Sequence, residues 1–410
     1  MKLVQLLGVS SNTGRFNGNL GGLTLTTHKD NLKSEFLVGE TACDYEDNTG
    51  ILTPAADQMQ TITKNYGETN FVTGMRAVAA LGVLLIHAGG GGLRELGVFG
   101  NRLADLGSAG VLVFFVISGF SVSASFKASA GYFDYLGRRL WRIAPLYYFW
   151  ILIALLSFSS DTSLYNLLMH LGFVSFLDHR IANSILGVEW SISIEVFWYV
   201  VVPALIVCMH SRKNMALACA CAVFIYLMAE RNLDWLPTAS IDARRALQWS
   251  PIPYVLSYCL GVTAYQLRDA FVTCRRFGDA ALVLAVAIVT VLVIIPGQLL
   301  RFMHDEFIVI SGLSFMLLLL GSEESKLFRL IFTNRVAQFL GVMSYGIYLS
   351  HVPLIALLTR WHAPFVDNPT VRFVMVACAA TAVSFFTFHA VERPGLALGA
   401  FFRRRRPQPA

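Results

Sequence analysis

Ten separate stretches of this chain are apolar over the length that a bilayer demands, and no other feature constrains its fold as tightly. They lie near residues 71–90, 107–127, 141–158, 190–209, 212–229, 250–267, 279–296, 305–321, 339–358 and 371–391. Crossing the hydrocarbon layer takes about 20 residues of helix. A backbone without water must satisfy its own hydrogen bonds, so each stretch reads as a helix. The expected fold is an all-α polytopic membrane protein with about ten transmembrane helices. The segment 164–178 is apolar but short, and reads as a re-entrant or interfacial piece or as an eleventh span. Composition agrees: 14% of the residues are charged, against about a quarter in a soluble domain. Pro145, Pro203, Pro253 and Pro353 fall inside spans and imply kinks.

Positive charge orients the bundle. With the N-terminus inside and ten crossings, seventeen Lys and Arg residues fall in inner loops and tail and nine in outer ones. That bias places both termini in the cytoplasm. The net charge of +6 collects in short loops and in Arg403–Arg406, which suits an anionic lipid surface rather than nucleic acid. Three regions follow. Residues 1–70 carry eight acidic and five basic residues with no spanning run, and read as a polar, poorly ordered N-terminal extension. Residues 71–396 form the membrane domain, and 397–410 a basic cytoplasmic tail. The seven cysteines form no CxxC pair and no zinc-ligand spacing, so neither a metal nor a disulfide framework is expected.

Ionisable groups at membrane depth point to function by default. The stretch GMRAVAALGVLLIHAGGGG, Gly74 to Gly92, carries Arg76 near its start and His87 near its end. Eleven residues of helix make about three turns and roughly 16 Å, so both side chains share one face at different depths. Four further blocks hold most other polar groups: Ser118-Gly119-Phe120 in mid-span, RRLWRIAPLYY at 138–148, VEWSISIEVFWYVVVP at 188–203 with Glu195, and SYGIYLSHVPL at 344–354. Glu392 follows the last span. Simpler readings stand beside these. Arg138, Arg139 and Arg142 suit topology determinants, and Tyr147, Tyr148, Trp198 and Tyr199 suit an aromatic belt. Ser118 suits close helix approach, and a lone intramembrane histidine suits a bridge between helices. Glu195 resists such a reading, because a carboxylate in a span needs a partner; Trp190, Ser191 and Ser193 beside it suggest a polar pocket.

The chain lacks a GxSxG elbow, a Walker loop, HExxH and GxGxxG after a strand. His362 and Asp367 match an HxxxxD spacing by chance, in a short outer loop. What remains is a histidine able to remove a proton, carboxylates able to orient it, and arginines suited to phosphate. Together they fit transfer of an activated group onto a hydroxyl.

In this order the blocks resemble the membrane acyltransferase-3 family, the integral-membrane O-acyltransferases of bacterial surface glycans. Arg76 and His87 match its basic residue, ten intervening residues and histidine. FFVISGF, RRLWRIAPLYY, EWSISIE, YGIYLSH and the VERP after the last span match its other motifs, covering about residues 71–395. Residues 1–70 are extra relative to the usual member, and no GDS-hydrolase-like domain follows residue 395. The resemblance implies acyl-CoA, most often acetyl-CoA, as a donor substrate, with no permanently bound cofactor. It implies His87 as general base and Glu195 as the group that polarises it or holds the acceptor. Arg76, Arg139 and Arg142 would meet the donor's phosphates. Ser118, Trp190, Ser191, Tyr345, Tyr348 and His351 would line the cavity. The implied acceptor is a saccharide hydroxyl, free or lipid-linked, as in exopolysaccharide or O-antigen, at the inner (cytoplasmic) membrane, with a separate polysaccharide-pathway protein as a further partner. Membrane lipids surround the protein, and nucleic acid is not a partner. The competing readings are a transporter or flippase for an acyl group or lipid-linked glycan, and a scaffold for polysaccharide export.

Overall fold

The computed structural model describes residues 70–157, 162–235, 241–294, 306–361 and 367–404. The expectation for residues 1–69, and that for His362, lie outside them. The secondary-structure elements among the described residues are all helical, with no strand among them. The helices are α1 Asn70–His87, α2 Gly97–Asp105, α3 Gly110–Lys127, α4 Tyr132–Ser157, α5 Leu164–Leu171, α6 Trp190–Cys208, α7 Arg212–Trp235, α8 Ile241–Gln248, α9 Val255–Leu267, α10 Gly278–Ile294, α11 Glu306–Leu320, α12 Lys326–Phe332, α13 Arg335–Arg360, α14 Pro369–Thr387 and α15 Arg393–Arg404.

Every one of the ten expected segments coincides with helix, but eight helical stretches among the described residues are long and apolar enough to cross a membrane. Two differences account for the change. The segments near 250–267 and 279–296 belong to one helical stretch, Val255–Ile294, continuous through a 3-10 section at Arg268–Phe277. The segment near 305–321 is α11, whose apolar part Phe307–Leu320 is shorter than a full crossing. The 164–178 segment is an eight-residue helix followed by a 3-10 turn at Ser175–Leu177. At 1.5 Å per residue α5 is about 12 Å long, too short for an eleventh span. Pro145, Pro203 and Pro353 lie inside α4, α6 and α13, whereas Pro253 precedes α9.

Polar groups are inside and apolar ones outside, the arrangement hydrocarbon selects. Arg139, His170, Glu189, Arg268, Gln338, His351 and Glu392 are buried, while Leu156, Val207, Leu217 and Phe386 are exposed. The tyrosines and tryptophan read as belt residues are largely core: Tyr147, Trp198 and Tyr199 are buried, and only Tyr148 sits part-way out. Their rings pack against aromatic neighbours in the bundle, Tyr147 on Phe173 and Trp198 on Tyr258, and Tyr199 OH donates to Glu195.

The centre depends on a close crossing of α3 and α9. A β-carbon on Gly261 would lie 2.8 Å from the Phe120 backbone nitrogen and 2.9 Å from the Gly119 Cα. One on Gly119 would lie 2.7 Å from the Tyr258 carbonyl oxygen. Small residues are how membrane helices approach closely. The Ser118-Gly119-Phe120 block therefore has a packing role at its glycine. Gly261→Ala should destabilise the bundle by about 1–3 kcal/mol through overpacking. Gly312→Ala, in α11 with nothing within 4 Å of the new carbon, should be neutral or slightly stabilising; thermal unfolding in detergent compares the two.

Candidate active site

The polar residues singled out in the sequence converge on two adjoining places. The first is a narrow cavity of about 60 Å³, bounded by α1, α3, α4, α6 and α13. Eight of the eleven expected residues line it: Arg76, Ser118, Arg139, Arg142, Ser191, Glu195, Tyr345 and Tyr348. Glu195 Oε1 accepts hydrogen bonds from Ser118 Oγ at 3.0 Å and Tyr199 OH at 2.7 Å. The Arg139 guanidinium lies 5.7 Å from the Tyr199 ring centroid and donates to the Ser121 carbonyl. Tyr345 OH donates to the Ile143 carbonyl at 2.9 Å, which ties α13 to the arginine-bearing turn of α4. Three guanidinium groups and one carboxylate leave the cavity wall cationic, a surface suited to phosphate.

The second place is a histidine pair at the end of α1. His351 Nε2 lies 3.1 Å from His87 Nδ1. His351 Nδ1 faces two carbonyl oxygens, Tyr348 at 2.7 Å and Ile347 at 3.2 Å. Carbonyls only accept, so this nitrogen carries the proton and Nε2 presents a lone pair. His87 Nδ1 also lies 2.9 Å from the Val83 carbonyl. Facing two acceptors, it carries its own proton, and His87 Nε2 is left as a bare base. His351 is 1% exposed, whereas His87 is exposed. Backbone geometry explains why His87 ends its helix. Gly89, Gly90, Gly91 and Gly92 follow with φ of 88°, 81°, 57° and 83°, left-handed values that glycine tolerates and other residues resist. Arg372 Nε caps the end by donating to the Ala88 carbonyl at 3.0 Å.

Tyr348 joins the two places. It lines the cavity, and its ring centroid is 5.9 Å from that of His351. Its hydroxyl lies 2.7 Å from Ser191 Oγ and donates to the Val188 carbonyl at 3.2 Å. Glu195 belongs to the arginine cavity, and the side chain within hydrogen-bond reach of His87 is His351. Trp190 opens α6 with its ring 5.9 Å from that of Tyr254, and is not among the residues lining the cavity.

Beside Tyr348 stands a buried pair that the sequence reading passed over. Glu189 and His170 are both fully buried, with His170 Nε2 3.4 Å from Glu189 Oε1. Glu189 also accepts from the backbone nitrogens of Ile185 at 2.6 Å and Val188 at 2.9 Å. His170 Nδ1 faces the Asn166 carbonyl at 2.9 Å. The pair closes the 164–189 segment on itself and helps fix the Val188 carbonyl that Tyr348 uses, while Ser175 Oγ, 2.7 Å from Ser193 Oγ, ties the segment to α6. Phe173 in this segment holds φ at 55°, with its ring stacked 4.8 Å from Tyr147. In the loop beyond, side-chain and backbone hydrogen bonds from Arg180 lower the Asp178 carboxyl to about 2. Glu189 stands one residue before the W-S-x-x-x-E block; a second acid at the mouth of an apolar run was the available signal. Glu189→Ala would leave the Ile185 and Val188 amides without their acceptor and take the carboxylate away from the buried His170. It should cost about 3–5 kcal/mol, measured by thermal unfolding, with Glu189→Gln intermediate.

Comparison with known proteins bears on what this site does. A protein of Acidianus two-tailed virus, named "Putative acetyltransferase ORF330", is 24% identical over 308 residues, covering 73% of this chain and 86% of that protein. No solved structure matches the chain. The model of the acyltransferase-3 family, described as an acyltransferase domain, matches residues 69–389, and this membrane protein therefore belongs to that family.

Proposed function

We propose that the protein transfers an acyl group, most simply acetyl, from acyl-CoA to a hydroxyl of a saccharide such as exopolysaccharide or O-antigen. The observation that carries this reading is the pairing of a cationic cavity with an oriented histidine base, joined through Tyr348. Arg76 lines the cavity and His87 ends the same helix about 16 Å further on. An acyl-CoA has that form: a phosphate-bearing end, an extended arm and a terminal thioester. Arg76, Arg139 and Arg142 hold the phosphates, and the arm follows α1 toward the histidines.

The chemistry then needs few groups. His87 Nε2 takes the proton of the acceptor hydroxyl, and the oxygen attacks the thioester carbonyl. The carbon–sulfur bond breaks, and the thiolate leaves and takes up a proton, giving an ester and coenzyme A. His351 holds the His87 tautomer that keeps Nε2 free. Glu195, held by Ser118 and Tyr199, sets the field among the arginines and orients the donor. The membrane is the inner, cytoplasmic one in this reading, with both termini and the arginine end of the cavity on the cytoplasmic side. The acceptor reaches His87 from the other side.

The test uses membranes holding wild type or variants at matched, folded levels, supplied with acyl-labelled acetyl-CoA. Label in base-labile esters on a surface glycan is the readout. His87→Ala should lower incorporation by about 10²–10⁴-fold, the usual worth of a general base. His351→Ala should fall within the same range, since a base held in the wrong tautomer is lost. Arg142→Ala should instead raise the donor KM at least tenfold. Equal incorporation by His87→Ala would remove this histidine from the chemistry. Absence of ester formation with any acyl-CoA, alongside His87-dependent flux, would favour a transporter.

A further inference from the structure

Glu392 has no part in the scheme above, yet it is placed where a carboxylate is costly. It is 9% exposed, and its Oε1 is sealed from solvent without a hydrogen-bond partner. Burying an ionised carboxylate is unfavourable unless charge or hydrogen bonds compensate it. Burial is the larger effect on Glu392, and Arg142 from α4 and Arg76 from α1 offset it in part. These are two of the three guanidinium groups that line the cavity. Tyr345 from α13, also a lining residue, feels the Glu392 charge. The remaining charged neighbours are on its own flanks. His389 shares its turn with Nδ1 2.9 Å from the Phe385 carbonyl, Arg393 follows directly, and Arg403 on α15 lies 3.6 Å from Asp134 of α4.

Local structure holds the carboxyl there. Phe388–Glu392 is a single π-helical turn between α14 and α15, a distortion that re-aims side chains and recurs at functional sites. Beyond it, Gly395 lies against Pro145, and the Phe402 ring stacks 6.0 Å from Trp141. The turn that carries Glu392 is thus locked to the helix that carries Arg139 and Arg142.

We propose that Glu392 is the counter-ion of the arginine cavity and takes up a proton when a phosphate-bearing donor replaces it. The proposal rests on the reading that the donor's phosphates bind at Arg76 and Arg142. In the free protein the two guanidinium groups offset part of the cost of the buried carboxylate. A phosphate dianion entering the cavity claims the same cations, and Glu392 is left buried without compensation. It accepts a proton from water, becoming a neutral acid, and the phosphate keeps the arginines. The proton returns to water when the product coenzyme A leaves.

Linkage sets the sign. If binding takes up one proton, donor affinity rises as pH falls, by about tenfold per pH unit while Glu392 is ionised in the free protein. Glu392→Gln mimics the protonated acid, so it should bind donor more tightly than wild type at high pH and lose one unit of that slope. The experiment is calorimetric titration of the purified full chain with coenzyme A, which binds without turnover, in buffers of different ionisation enthalpy. Subtracting the variant removes the protonation of coenzyme A itself. One proton fewer in Glu392→Gln than in wild type supports the proposal, and equal proton counts overturn it. Infrared difference spectra of wild type on coenzyme A binding need no variant. A new carboxylic-acid carbonyl band supports the proposal, and its absence overturns it. Failure of wild type to bind coenzyme A overturns the reading of the cavity and this proposal together, whereas binding without proton uptake overturns this proposal alone.

Discussion

Hydrocarbon does not solvate charge, and the rest of this structure depends on that constraint. In water a bundle of this size would hide its leucines and display its arginines. Here Leu156 and Val207 face outward, and Arg139, Glu189 and His351 are withdrawn into the bundle. Each withdrawn group needs something to meet. Glu189 meets two backbone amides and an imidazole. His351 meets two carbonyls and a second histidine. Such networks hold one arrangement because breaking any member strands the others. The polar interior is therefore rigid before any ligand arrives, which is the property an active site needs.

That interior exists only because helices distant in sequence come close. The α3–α9 crossing at Gly119 and Gly261 draws α3 inward, and Ser118 then reaches Glu195 of α6. Neighbouring residues of one short block thus divide the work. Gly119 sets the distance between helices, Ser118 holds the carboxylate, and the Phe120 ring lies 5.8 Å from the buried Arg268 guanidinium. The 164–189 segment works similarly from outside the bundle. Too short to cross, it supplies a backbone carbonyl to Tyr348 and a buried acid–histidine pair to hold it.

The membrane class of the chain was legible because a hydropathic run reports a solvent, and reports it locally. Each of the ten runs proved helical, while the number of full crossings did not follow from hydropathy. A run such as Phe307–Leu320 is apolar enough but short. Whether two runs join through a segment like Arg268–Phe277 depends on packing that the pattern does not encode. Aromatic residues misled for a related reason. Tyr199 and Trp198 carry the composition of an interface belt, yet Tyr199 is committed to Glu195 and Trp198 stacks 4.8 Å from Tyr258.

The sequence by itself determined the residue types of the site and their placement along single helices. Arg76 and His87 share a face because helix periodicity makes them do so, and that needs no other part of the chain. The family motifs were likewise readable as local strings. Only the tertiary structure decided which groups meet. His351 stands 264 residues from His87, and no local rule pairs them. The family resemblance gives Glu195 either to His87 or to the acceptor, and the fold sets that carboxylate in the arginine cavity. Glu189 carried no periodic signal, and its importance appears only when burial removes the water that would have made it ordinary. Local propensity is set within a few residues of chain, whereas the partner of a buried charge is set by which helices the bundle brings to within a few ångströms.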